Sequence, residues 1–242
     1  MTLPIFYDLL ILNNILSIQE DFAMKKHIVC LGDSNTHGYC ADSSDCLDGG
    51  IRFTEEQRWT RLLQKNLGDD YLVIEEGLSG RTTCFDDPIH EGLNAMNYIY
   101  PCLKSHETVD LLVIMLGTND TKDRFCASAA CIGIGMSRLV KKAQATECWG
   151  GKKPNILVIA PPHIGEGMLS SDVAATMGTG CVVKSRELAK YYKEHCDLIG
   201  AHFLDAQELG AEFNTVDYMH LTSRGHATLA EKLSKVIPEL VK

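Results

Sequence analysis

The stretch His27-Ile28-Val29-Cys30-Leu31-Gly32-Asp33-Ser34-Asn35-Thr36-His37-Gly38 sets the reading of the whole chain. An apolar run with β-branched members, closed by Gly32 and then by Asp, Ser, Asn and Gly, predicts a fully buried strand that runs into a tight turn. A serine there sits at the carboxyl end of a strand, and in an open α/β sheet that edge is where ligands bind. Ser34 is therefore the candidate nucleophile, and the question is what else the chain brings to it.

Working outward, the same strand-then-turn pattern recurs. Tyr71 to Glu76 predicts a second strand, entering Gly77-Leu78-Ser79-Gly80-Arg81-Thr82-Thr83. Asp110 to Leu116 predicts a third, closing with Gly117-Thr118-Asn119-Asp120. Asn155 to Ala160 predicts a fourth, stopped by Pro161-Pro162, and Ala201 to Leu204 a short fifth. Between them, Glu55 to Leu67, about Ser128 to Ala145, Val183 to Cys196 and Thr222 to Val241 have apolar spacing suited to helices. Pro88 to Tyr100 reads as helical or irregular, ended by Pro101. Residues 40 to 54 read as a loop over the site, and His163 to Gly180 as a second long loop. Alternating strands and helices predict an α/β fold with a mostly parallel five-stranded sheet covered on both faces, because parallel neighbours need crossover helices.

The chain of 242 residues suits one large domain over residues 24 to 242. Residues 1 to 23 read as an N-terminal extension, helical in pattern. No Lys or Arg precedes their apolar run and no small-x-small site follows it, which argues against a signal peptide. A net charge of -9 excludes the cationic surface that nucleic acid or an anionic membrane requires. Ten cysteines are scattered through a chain long enough to fold without staples, so reduced thiols and a cytoplasmic location are expected. The pairs Cys40/Cys46 and Cys126/Cys131 lack the C-x-x-C spacing of a zinc site, and no metal or cofactor is expected.

The last motif is Asp217-Tyr218-Met219-His220, just before the closing helix. Serine is a weak nucleophile until a base takes its proton, and histidine is the side chain suited to that near neutral pH. His220 is the candidate base, and Asp217 would orient its ring and stabilise the imidazolium. Acyl transfer also needs donors aimed at the oxyanion, and the backbone N–H groups of Ser34 and Gly80 with the Asn119 amide are the candidates. Each motif alone has a plainer reading. Gly-Asp-Ser and Gly-x-Asn-Asp are turn signatures, and the Asp-x-x-His segment could simply cap a helix. Ser79 is the rival nucleophile, but Arg81 stands where the elbow Gly-x-Ser-x-Gly needs its final glycine.

These blocks, Gly32-Asp33-Ser34, Gly80, Gly117-Thr118-Asn119-Asp120 and Asp217-x-x-His220, resemble in kind and order those of the GDSL family, also called SGNH hydrolases. Glu75 to Ser79, Arg81 to Thr83 and Ile114 to Lys122 resemble more narrowly its bacterial arylesterase and acyltransferase branch. The resemblance spans about residues 26 to 241. It implies a flavodoxin-like three-layer α/β/α fold and metal-free ester hydrolysis through an acyl-serine. It also implies acyl transfer to an alcohol or peroxide as a side activity, and leaves homo-oligomerisation open.

The expected partner is a small ester with a short, acetyl-like acyl group. A carbohydrate O-acetylesterase is the alternative, and a non-catalytic binding module the second. Asn35, His37, Tyr39, Ser79, Arg81, Phe125, His163 and Ile164 are the candidate pocket residues, with His90 and His226 read as surface residues. Asp33 is expected to brace its turn and Asp120 to anchor the third loop.

Overall fold

Lys26–Gly32 forms strand β1, which lies between β2 and β3 in a five-stranded parallel sheet of order β2-β1-β3-β4-β5. The other strands are β2 (Tyr71–Gly77), β3 (Leu111–Met115), β4 (Ile156–Ala160) and β5 (His202–Asp205). The computed structural model describes residues 24–242, so the reading of residues 1 to 23 lies outside the described part. β3 and β4 are buried at every position, which is why their sequences are continuously aliphatic rather than alternating.

The alternation appears instead in where each side chain goes. Val29, Leu31, Leu112, Ile114 and Val158 join one core with helices α3 (Ala95–Ser105), α4 (Ala129–Gln144) and α6 (Cys181–Ile199). Ile28, Cys30, Leu111, Val113, Met115, Leu157 and Ile159 join the other, under helices α2 (Trp59–Leu67) and α7 (Ser223–Leu240). Successive strand residues point to opposite faces, so a fully apolar strand feeds two cores and three layers result.

Two short helices complete the set, α1 (Ser34–His37) directly after β1 and α5 (Ala174–Met177) inside the segment expected to be a long loop. A 3₁₀ turn, Glu166–Ser170, lies in the same segment. Its apolar residues Ile164, Met168 and Met177 form a small buried cluster with Cys181 and Val182 of α6 and with Met219. Among the described residues, no helix is long and apolar enough to cross a membrane.

Three boundaries differ from the sequence reading, each for a local reason. α2 begins at Trp59 rather than Glu55 because Arg58 is extended (φ -63°, ψ 135°). Its guanidinium is held by the Phe53 carbonyl at 2.9 Å and by Glu75 at 3.0 Å. α3 starts at Ala95, where the Asn94 side chain accepts from the Met96 N–H at 2.9 Å. It then continues through Pro101, because Cys102 and Leu103 are fully buried and hold the last turn on the core while Pro101 faces solvent. α7 starts as expected, with Thr222 accepting from Gly225 N–H at 3.0 Å.

The sheet order reverses direction between β1 and β3, and the crevice outside that switch point is where a doubly wound sheet leaves room for a ligand. Ser34 follows β1 and Asn119 follows β3, so the two sides of the switch carry the two most distinctive motifs.

Candidate active site

α1 exists to turn the chain sharply at the end of β1. The Asp33 carboxylate caps it by accepting from the Asn35 N–H at 3.0 Å, and Gly38 ends it in the left-handed region at φ 87°. Ser34 occupies its first position, where a helix N–H has no partner within the helix. Among the described residues that N–H makes no hydrogen bond.

His220 arrives from the other end of the chain. Its Nε2 lies 2.7 Å from Ser34 Oγ and its Nδ1 2.6 Å from Asp217 Oδ2. The second Asp217 oxygen accepts from the N–H groups of Met219 and His220, both at 3.1 Å, and from Asn214 at 3.0 Å. Burial alone would raise this carboxyl, but the hydrogen bond and charge of His220, with the two backbone donors, outweigh it and hold the group down at about 2. The Tyr39 ring packs on the imidazole at 4.6 Å between centroids. Asn35 ties the two ends together, donating to the Met219 carbonyl at 3.2 Å and accepting from the Leu221 N–H at 2.9 Å.

The remaining donors converge from β2 and β3. Gly80 has φ 87°, a conformation an L-residue adopts with strain, and its N–H makes no hydrogen bond among the described residues. The Asn119 amide donates to the Arg81 carbonyl at 3.1 Å and lies 3.5 Å from Asp33 Oδ2. The second distance is at the limit of a hydrogen bond, which leaves one amide hydrogen for a better acceptor.

These groups open into a cavity of about 220 Å³ lined by Ser34, Tyr39, Ser79, Gly80, Thr118, Asn119, Lys122, Val173, Thr176, Met177, Met219 and His220. It is smaller than the range of roughly 300 to 1,000 Å³ that accommodates drug-sized ligands. Lys122 brings a cation to an otherwise mostly apolar wall, its basicity lowered by burial and by Arg124. A larger cavity, about 550 Å³, lies at the opposite edge of the sheet between Glu107 and Pro154, away from Ser34 and His220.

The family model for GDSL-like lipases and acylhydrolases matches residues 30–228. The chain belongs to this family. It is an ester hydrolase. Among solved structures, it is similar to the M. smegmatis aryl esterase, at 35% identity over 89% of this chain and 99% of that one, with a TM-score of 0.80. It is also similar to Est24, a carbohydrate acetylesterase from Sinorhizobium meliloti, at 34% identity over 89% of this chain and 100% of that one, TM-score 0.80. A putative arylesterase from Agrobacterium tumefaciens str. C58 is 30% identical over 89% of this chain and 99% of that one, TM-score 0.75. No curated protein sequence matches the chain.

Against this GDSL-type site, the sequence-predicted pocket residues divide. Tyr39 and Ser79 line the cavity; Asn35, His37, Arg81, Phe125, His163 and Ile164 do not. Asn35 is spent on the clamp to residues 219 and 221. Arg81 is buried, donating to the Gly32 carbonyl at 2.9 Å and to that of Glu76, so it fastens the two strand ends that carry Ser34 and Gly80. Ile164 is fully buried in the layer behind Met177 and Met219.

Phe125 packs beside Phe85, and the His163 N–H is directed to Gln207. His37 is set against the end of β2, where Gly77 lacks a side chain because a Cβ there would lie 2.2 Å from the His37 nitrogen. His226 is fully buried rather than on the surface, accepting from the Trp59 N–H at 3.2 Å. Burial pushes its pKa down to about 3, so it is neutral.

Residues 40 to 54 do not cover the cavity. Asp45 accepts from the Ser223 N–H at 2.7 Å and so draws this loop onto the start of α7. The wall expected from it comes from Val173, Thr176 and Met177 instead. Sequence reasoning missed these, with Lys122, Thr118 and Met219. Thr118 and Lys122, close to Asn119, and Met219, inside the Asp217 to His220 motif, lay within stretches already singled out; Val173, Thr176 and Met177 carried no such signal.

Asp33 and Asp120 are both fully buried acids whose pKa values burial pushes up to about 6. Asp120 anchors the β2 turn by accepting from the Thr83 N–H at 2.9 Å, while its other oxygen has no partner among the described residues. A folded pKa above the ordinary 3.8 means that the unfolded chain loses its proton first, so stability falls as pH rises from about 4 through 6. Asp120→Asn removes that ionisation and keeps an acceptor for Thr83. Its stability should therefore fall less than that of the parent between pH 4.5 and 8, by roughly 2 kcal/mol. Urea unfolding at the two pH values checks this, and parallel behaviour of the two proteins would contradict it.

Proposed function

We propose that the protein hydrolyses small esters with short, acetyl-like acyl groups through an acyl-serine formed on Ser34. The observation that carries the reading is the continuous line from Asp217 through His220 to Ser34 Oγ, with contacts of 2.6 and 2.7 Å. Ser34 Oγ attacks the ester carbonyl as its proton passes to His220 Nε2. The negative oxygen is met by the N–H groups of Ser34 and Gly80 and by the Asn119 amide. Collapse expels the alcohol, which takes the proton from His220, and water repeats the sequence on the acyl-serine. Asp217, ionised across the working pH range, favours the imidazolium in both halves.

The size of the cavity and its Val173, Met177 and Met219 wall support a short acyl chain over a long one. An apolar wall of this kind also supports competition by an alcohol or peroxide with water for the acyl group. Ten free thiols support a reducing, cytoplasmic setting. Likeness to both an aryl esterase and a carbohydrate acetylesterase leaves two leaving-group classes. We favour simple alcohols and phenols, because the surface that the lining residues expose to the cavity is mostly apolar.

Intact-mass spectrometry after mixing with 4-nitrophenyl esters of increasing chain length tests the reading. Acylated protein is expected with acetate, declining beyond butanoate, and absent in Ser34→Ala. Turnover confined to acetylated sugars would displace it in favour of the carbohydrate reading. Met177→Trp, which fills the wall, is expected to reduce kcat/KM for butanoate roughly 10-fold more than for acetate. Asn119→Ala removes one oxyanion donor and should lower kcat about 10²- to 10³-fold with little change in KM, read by steady-state kinetics.

A further inference from the structure

Away from Ser34, one group of side chains has no part in ester hydrolysis. Glu76 at the end of β2 and Cys102 and His106 at the end of α3 place a carboxylate oxygen, a thiol sulfur and an imidazole nitrogen all within 4.8 Å of one another. We propose that Glu76, Cys102 and His106 form a binding site for a divalent cation of zinc type, with a water as fourth ligand.

Four observations support this. Cys102 and His106 are four residues apart at the end of one helix, so both project from the same side toward the strand. The donor set of thiolate, imidazole and carboxylate matches the borderline softness of zinc and is poorly suited to calcium or magnesium. Zinc bonds of about 2.0 to 2.3 Å place tetrahedral ligands roughly 3.4 Å apart, so the three atoms need move only by about 1 Å. The His106 Nε2 contact to Glu76 Oε1, now 2.7 Å, is the hydrogen bond that the ion would replace.

The outer layer is also in place. Tyr98 donates to the other Glu76 oxygen at 2.8 Å and so orients the carboxylate. Arg81 lies over the Tyr98 ring at 5.0 Å, with its guanidinium directed to backbone carbonyls of Gly32 and Glu76 rather than to the carboxylate. Cys102 is fully buried while Glu76 and His106 retain partial exposure, which gives an ion an entry path from one side. Burial, reinforced by Glu76, pushes the Cys102 thiol up to about 12, so binding must release its proton and strengthen with pH. The site would fasten the end of α3 to β2 just before the turn that carries Ser79 and Gly80.

The test is titration of the reduced, chelator-treated full chain with zinc against a chromophoric competitor, repeated with Co²⁺. The expected result is one tight equivalent and, with Co²⁺, an ultraviolet thiolate-to-cobalt charge-transfer band. Cys102→Ala should abolish the band, and both Cys102→Ala and His106→Ala should weaken zinc binding roughly 100-fold or more. Replacing the exposed Cys126 and Cys131 by Ala should change neither readout. If Cys102→Ala does not fold, His106→Ala, at a partly exposed position, carries the affinity comparison. Absence of a tight equivalent, or one that survives His106→Ala unchanged, would overturn the proposal.

Discussion

Ser34→Ala is expected to lower kcat on 4-nitrophenyl acetate by roughly 10⁴- to 10⁶-fold, leaving the fold and the thermal midpoint nearly unchanged. In the proposed mechanism Ser34 Oγ forms the bond to the acyl carbon, and among the described residues no other hydroxyl lies against His220 Nε2. Ser79 lines the same cavity but has no hydrogen bond to the base, so it cannot substitute. Replacing His220 by Ala should cost a similar factor, and the double variant little more, because the two act as one unit whose losses do not add. Steady-state rates of the two single variants and the double variant check this. If Ser34→Ala retained a tenth of the parent rate, the acyl-serine route would be wrong.

Asp217→Asn should cost about 10⁴-fold in kcat with a correctly folded protein. The change preserves size, but it presents either an amide N–H or a neutral oxygen to His220 Nδ1. In the first case the ring is forced into the tautomer that carries its proton on Nε2, facing Ser34, and cannot act as a base. In the second the imidazolium loses its counter-charge. Asp217→Glu, which keeps the charge but displaces it, should fall between the parent and Asp217→Asn. A loss of less than about tenfold in Asp217→Asn would show that the carboxylate only braces the loop.

That loop is built with more support than the catalytic line itself requires. Asn214 accepts from the Val216 and Asp217 N–H groups at 2.8 and 2.9 Å and donates to the His220 carbonyl at 2.8 Å. Tyr218 takes a positive φ of 61°, a conformation a bulky residue holds only when its surroundings impose it. The Asn35 amide then joins this loop to the nucleophile turn. Preorganisation of this kind lets the imidazole meet Ser34 without rearrangement when substrate enters.

Much of this was legible in the order of residues. A strand buried on both faces must be apolar throughout, so the runs ending at Gly32, Met115 and Ala160 declared themselves, and parallel pairing followed from the helices between them. The candidate site residues were equally visible, because Ser34, Asn119 and the Asp217/His220 pair each follow a strand or precede a helix in a short, unusual motif. What stayed hidden were choices made by contacts across the chain. Nothing in the neighbours of Asn35 or Arg81 says that the first will be spent on residues 219 and 221 and the second on two strand-end carbonyls.

The same limit explains the cavity wall. Loops 40 to 54 and 163 to 180 have comparable turn-rich compositions, yet Asp45 draws one onto α7 while Met168, Met177 and Cys181 fold the other into a small core beside Ser34. Local sequence specifies strand, turn and helix because those depend on near neighbours and on period. Which polar side chain faces a ligand and which is consumed as structure depends on partners that folding brings together, 184 and 186 residues away for Asn35, and only the packed molecule decides it.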